Sequence, residues 1–106
     1  MIITTSEKIE GKNIVKTIGL VKGSTIRARH LGRDIMAGLR GVVGGEITEY
    51  TQMMAESREQ ALQRMEEDAT NQGANAIIAL RFTTSMVMQS ASEILAYGTG
   101  VVVEED

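Results

Sequence analysis

No cysteine occurs in the 106-residue chain, which removes disulfides, thiolate nucleophiles and zinc–cysteine sites together. Aromatic residues are only three, Tyr50, Phe82 and Tyr97. A core must therefore be aliphatic and methionine-rich, and stacking platforms for nucleic-acid bases are missing beside the basic residues. His30 is the only histidine. No apolar run reaches the about 18 residues read as a membrane span. The opening MIITTSEKIEG is too short and too polar for the apolar core of a signal peptide. The expectation is a cytoplasmic protein with neither a membrane nor a nucleic-acid partner.

What is present suits a single domain over residues 1–106, large enough for a modest core. An apolar content of 42% is too high for a chain disordered by composition. The net charge of −3 is unevenly spread. Residues 1–40 have a balance of +5 and residues 41–106 one of −8. RARHLGRDIMAGLR is a local basic patch and MEEDATNQ a local acidic one. The plain reading is two solvated faces; the sharper one is complementary surfaces on copies of the same chain.

Alternation in NIVKTIGLVKG puts Ile14, Lys16, Ile18, Leu20 and Lys22 on one face of a strand that is left at Gly23. Met1 to Thr5 can form a short edge strand. LGRDIMAGLRGVV repeats Leu31, Ile35, Met36, Leu39 and Val43 at helical spacing, which predicts a short helix weakened by Gly32, Gly38 and Gly41. A long helix follows from about Glu46 to Gln72, with an apolar stripe of Ile47, Tyr50, Met54, Ala61, Met65 and Ala69 and with Leu62 beside it. Gly73 stands where a left-handed helix cap is expected.

NAIIALRFTTSMVM and SEILAYGTGVVV then alternate as two strands, and QSAS between them predicts a hairpin. In the first of these, Ile78, Leu80, Phe82, Met86 and Met88 share a face. The fold class is α+β: a small antiparallel sheet of three to four strands, one long helix packed across it, and a short glycine-rich helix before that.

Both faces of the last two strands carry large apolar residues, whereas one helix covers one face. Large exposed apolar patches are uncommon on monomers, and strands this long exceed the ~5–6 residues usual in small domains. A homo-oligomer is the expectation.

Function is less well marked. GLRGVVGGEITEY sets glycines before a helix, as phosphate loops do, but no Gly-Lys-Ser/Thr and no G-x-G-x-x-G spacing is present. Glu46 and Glu49 complement the helix end themselves and repel phosphate. Gly44 and Gly45 read as a hinge between the two helices, with Gly45 as an N-cap.

His30 and Asp34, four residues apart, could share a helix face. They make two metal ligands where zinc takes three or four, so a structural histidine is the preferred reading. Met86 and Met88 could offer thioethers to a soft metal, yet they continue an apolar row and read as core. No Ser, Thr or Lys has an evident activating base, and the helix carboxylates look solvated rather than desolvated for catalysis. No cofactor is predicted.

The ordered motifs KIEGK (8–12), GLVKG (19–23), RDIMAGL (33–39), VVGGEITEY (42–50), AESREQALQRM (55–65), QGANAI (72–77) and EILAYGTGV (93–101) resemble the YbjQ-like family of bacteria and archaea. The resemblance spans nearly the whole chain and implies a dodecin-like subunit, a small sheet crossed by a helix, in homopentameric rings. It also implies that Val43, Gly44 and Gly45 lead into the long helix, on which Tyr50 and Arg58 recur. The family's heavy-metal-binding label would need carboxylates, His30 with Asp34, or methionine sulfur at a subunit interface.

The function expected is a non-enzymatic ring that binds a small ligand or a divalent or heavy metal ion between subunits. Gly44, Gly45, Glu46, Tyr50 and Arg58 are the candidates for shape and assembly. Arg58 lies close to the helix face of Tyr50, where an arginine pairs with a carboxylate, that of Glu46 or of a neighbouring chain.

Overall fold

The computed structural model describes residues 1–28, 42–43, 46–89 and 91–106, with the backbone alone at 28, 42–43 and 46–50. A four-stranded sheet carries one long helix. The strands are β1 (Ile2–Ile3), β2 (Lys12–Ala28), β5 (Ala76–Met88) and β6 (Ala91–Glu105), in the order β1-β5-β6-β2. The helix, α1, is Thr48–Asn71. A separate two-stranded ladder pairs β3 (Val42–Val43) with β4 (Glu46–Ile47).

β2 and β5 each run antiparallel to β6, whereas β1 runs parallel to β5. The sheet is thus mixed rather than wholly antiparallel. The short helix expected over 31–43 lies mostly outside the described residues. Its last positions, Val42 and Val43, are strand, with Val43 opposite Glu46. β4 occupies Glu46 and Ile47, and α1 starts at Thr48; Gly45, expected as the helix N-cap, lies outside the described residues.

The helix buries the line Ser57, Ala61, Met65 and Ala69, each one turn after the last on the side facing the sheet. Small residues at three of these four positions bring the helix axis close to the strands. β2 continues beneath it past Gly23, where an end was expected, because Gly23 presents no side chain to the helix backbone: a Cβ there would lie 2.7 Å from the carbonyl carbon of Arg64. Val21 and Thr25, on the same side of β2, are buried as well. Ile77, Leu80, Ile94 and Ala96 complete this core, with Met54, Leu62 and Ile18 packed against it.

The helix ends as its sequence predicts. Gly73 adopts φ +94°, its N–H donates to Thr70 O at 3.0 Å, and the N–H of Ala74 donates to Ala69 O at 2.9 Å. These are the two hydrogen bonds of a Schellman cap.

A second, smaller cluster of Ala76, Val101 and Val103 packs against Ile9 and Ile78. Two corrections to the alternation follow from bulges. Between Ile78 and Arg81 the β5–β6 register shifts, with Ala79 at φ +55°. An extra residue in one strand reverses the faces beyond it, so Ile77 and Leu80 join the main core while Ile78 joins the second. In β2, shifts between Ile14 and Lys16 and between Thr17 and Gly19 likewise split the row expected on one face. Ile18 meets the core, and Leu20 is 62% exposed.

Asn75, just before β5, acts as a strand partner through its side chain. Its Nδ2–H donates to Val103 O at 3.0 Å, and its Oδ1 accepts from Val103 N–H at 2.8 Å. Asn75→Ala is expected to cost about 1–3 kcal/mol, since it removes both bonds and leaves the strand's amide and carbonyl without their partner. Chemical denaturation would check this, and an unchanged midpoint would mean that water replaces the pair without loss.

Candidate functional site

Among the described residues, Arg27, Ala55, Glu56, Glu59, Gln60 and Gln63 line an open groove of about 410 Å³. It forms where β2 emerges beside the solvent side of α1. The Arg27 guanidinium donates through Nη2 to Gln60 Oε1 at 2.9 Å. Both Glu56 and Glu59 are exposed. The groove therefore offers a shallow polar surface of mixed charge, suited to hydrogen-bonding a small polar molecule. It has no desolvated acid or base of the kind general acid–base chemistry uses.

A second polar group sits along the outer edge of β2. Asp68 Oδ2 accepts from the Lys22 amide at 2.9 Å, Arg64 Nη1 donates to Ser24 O at 2.6 Å, and Gln72 Nε2 donates to Leu20 O at 3.4 Å. Gln72 Nε2 also donates to Asp68 Oδ1 at 3.0 Å. Arg64 and Asp68 of α1, with Gln72 just past its end, thereby occupy backbone groups that a further strand would use, which seals this stretch of the edge. The acidic run around Asp68 is in this respect structural.

The buried polar groups are satisfied within the fold. Thr25 Oγ1 donates to Ser57 O at 3.2 Å, and Ser57 Oγ donates to Met53 O at 2.9 Å. Sequence reasoning placed Arg58 near the apolar stripe and passed over Ser57. The structure puts Ser57 on the buried line, and Arg58 is exposed, with no hydrogen bond or ion pair to a described side chain. The i, i+4 spacing from Ser57 to Ala61, Met65 and Ala69 was the available signal.

Of the other candidates, His30, Asp34, Gly44 and Gly45 lie outside the described residues, and Glu46 and Tyr50 are described by backbone only. Glu46 is in β4 and Tyr50 in the first turn of α1. Met86 and Met88, expected in the core, are 76% and 63% exposed. The reason is the path of the helix, which crosses β2 and β6 and scarcely reaches β5. Among the described residues no group of three or more His, Cys, Asp or Glu could hold a metal ion, so the donor set described does not fit one.

Comparison with known proteins decides the kinship. A family model described as "Putative heavy-metal-binding", that of the YbjQ family, matches residues 1–104. The chain belongs to the YbjQ family. A UPF0145 protein of Dehalococcoides mccartyi is 64% identical over 104 residues, covering 98% of this chain and all of that one. A UPF0145 protein of Methanosarcina acetivorans is 60% identical over 103 residues, or 97% of each chain. Among solved structures, a protein of unknown function from Pediococcus pentosaceus, of the DUF74 family, superposes with a TM-score of 0.70 at 18% identity, covering 98% of each chain. At that identity the likeness concerns the fold. No helix among the described residues of this YbjQ family member is long and apolar enough to cross a membrane.

Proposed function

We propose that the chain is a non-enzymatic building block of a homo-oligomeric ring of five subunits, which binds a small ligand or ion between neighbours. The observation that supports it is the apolar surface outside the helix's reach. Leu20 and Ile26 are each 62% exposed on the sheet face opposite α1, and Phe82, Met86, Val87 and Met88 are 40–76% exposed along the far end of β5. A monomer seldom leaves so many large apolar side chains exposed on its strands without a partner. The groove beside Arg27 is open on its outer side and would be closed by a neighbour.

Native mass spectrometry of untagged protein tests this. A multiple of the 11.5 kDa chain mass is expected, and a monomer at working concentration would overturn the reading. Arg58, exposed and with no hydrogen bond or ion pair to a described side chain, is assigned to the interface. Arg58→Ala is expected to cost about 2 kcal/mol of assembly, as buried interface arginines do. An unchanged mass and melting temperature would remove Arg58 from that role.

The family description favours a second reading, in which a heavy-metal ion is the ligand and is held by His30, Asp34 and carboxylates of adjoining subunits. Elemental analysis of the same untagged sample separates the two. Stoichiometric metal lost in His30→Ala supports the second reading, and metal-free oligomer refutes it.

A further inference from the structure

We infer that Lys22, Tyr97 and Arg81 form a binding site for a phosphate group on the sheet face that α1 leaves uncovered. The inference goes beyond the assembly reading, because the three residues belong to one subunit and need no neighbour.

Strand pairing puts them in one row. Tyr97 of β6 lies opposite Lys22 of β2 on one side and opposite Arg81 of β5 on the other. The residues beside them show which way they point. Val21 and Gly23 meet the helix side, and Leu80 and Ala96 are buried in the core beneath it. Successive strand residues turn to opposite faces, so Lys22, Arg81 and Tyr97 turn away from the helix. For Arg81 this depends on the bulge. Ala79 holds a φ of +55°, rare for a residue with a side chain. Without that extra residue the alternation from Ile78 would put Arg81 on the helix side.

The row carries two cations and no acid. Lys22 is exposed, and neither its amine nor the Tyr97 hydroxyl has a hydrogen-bond or ion-pair partner among the described residues. The backbone beneath is fixed, since the Lys22 amide donates to Asp68 Oδ2 at 2.9 Å. Arg81 Nη1 donates to Thr5 O at 3.0 Å and to Leu80 O at 2.7 Å. That anchors the guanidinium and leaves Nε and Nη2 for a ligand. The strand register places two carboxylates on this face. Glu93 is about 13 Å along β6 from Tyr97, and Glu105 is paired with Lys12.

A phosphate group suits this chemistry better than other anions. Strands about 4.8 Å apart set the Lys22 and Arg81 backbones about 10 Å from each other, with Tyr97 midway. Both long side chains can bend over the ring toward one oxyanion, to which the Tyr97 hydroxyl also donates. In the next row, Ser24 and Thr83 flank Leu95 and add a hydroxyl on either side. Donors from three strands match the several oxygens of a tetrahedral dianion, whereas a carboxylate offers only two. Two cations also match its charge of about −2. One such row on a chain of net charge −3 suits a small anion rather than a nucleic acid.

Isothermal titration calorimetry of the full chain with inorganic phosphate, in a buffer without other oxyanions, tests the site. Saturable binding of one phosphate per chain is expected. Lys22→Ala should weaken it at least about tenfold, the loss of one charge-assisted hydrogen bond, and Tyr97→Phe about three- to tenfold, that of a neutral donor. Lys16→Ala removes an exposed lysine outside the row and should leave binding unchanged. The Lys22 amine bonds nothing in the described fold, so the Lys22→Ala melting curve should match that of wild type. No saturable binding by wild type, or equal losses in Lys22→Ala and Lys16→Ala, would overturn the site. Glycerol 3-phosphate separates the sources of the group. Tighter binding than inorganic phosphate would identify a phosphate ester, and equal or weaker binding would identify free phosphate. A monomeric chain that binds phosphate in this way would keep the site and overturn only the ring reading, so the two failures are distinguishable.

Discussion

Gly23→Ala is expected to destabilise the fold by about 3 kcal/mol or more, at the upper end of what overpacking costs. The new Cβ would overlap the backbone of Met65 and Ala61 and lie 2.7 Å from the carbonyl carbon of Arg64. A side chain in the way could change rotamer, whereas a helix backbone can only move as a unit. Either α1 lifts off, loosening Ala61, Met65 and Ala69 from the sheet, or β2 bows away and breaks its pairing with β6. At about 4–8 °C per kcal/mol for a domain of this size, the melting temperature should fall by more than about 10 °C. Gly11→Ala is the control. Gly11 has φ +77° and nothing within 4 Å of a built Cβ, so it isolates the left-handed backbone cost of about 1–2 kcal/mol. If the two variants melted alike, close helix–sheet approach at Gly23 would not be the constraint described.

Met65→Ala is expected to cost about 2–5 kcal/mol. Met65 is fully buried and is the largest such side chain, at the centre of the cluster that joins α1 to β2 and β6. Truncation removes three heavy atoms from a site bounded by helix and sheet backbone, so collapse around the cavity is limited. Met65→Leu keeps most of the volume and should cost less than about 1.5 kcal/mol. Urea titrations of all three proteins would test the order, with a lower midpoint and an unchanged slope for the alanine variant. A loss below 1 kcal/mol for Met65→Ala, on the order of a surface change, would mean that the helix does not depend on this contact.

Several elements were legible because their signals are local. Gly73 after a polar helix end predicted the left-handed cap, and its two hydrogen bonds are present. The order of strand, long helix and terminal hairpin followed from the change of apolar period between 13 and 103. The face assignments were less secure for a physical reason. A period of two has no memory of an inserted residue, so the bulge at Ala79 moved Leu80 into the main core and Ile78 out of it. Val43 fitted a helical repeat by position, yet short apolar pairs are compatible with either period, and the ladder with Glu46 claimed it.

The candidate site shows the same division. Asp68 and Gln72, in MEEDATNQ, read from sequence as part of a solvated face, because nothing local says that they and Arg64 reach the backbone of β2 some 40 to 50 residues away in the chain. The sequence by itself determined the class of elements, the end of the helix and the exclusion of cysteine chemistry. All three depend on residue type and near-neighbour spacing. Tertiary structure decided which strand faces the helix covers, where β2 passes beneath α1 at Gly23, and which stretch of the β2 edge the helix side chains seal. Those outcomes depend on how far one helix reaches across a sheet, and that distance is a property of the packed molecule rather than of any segment.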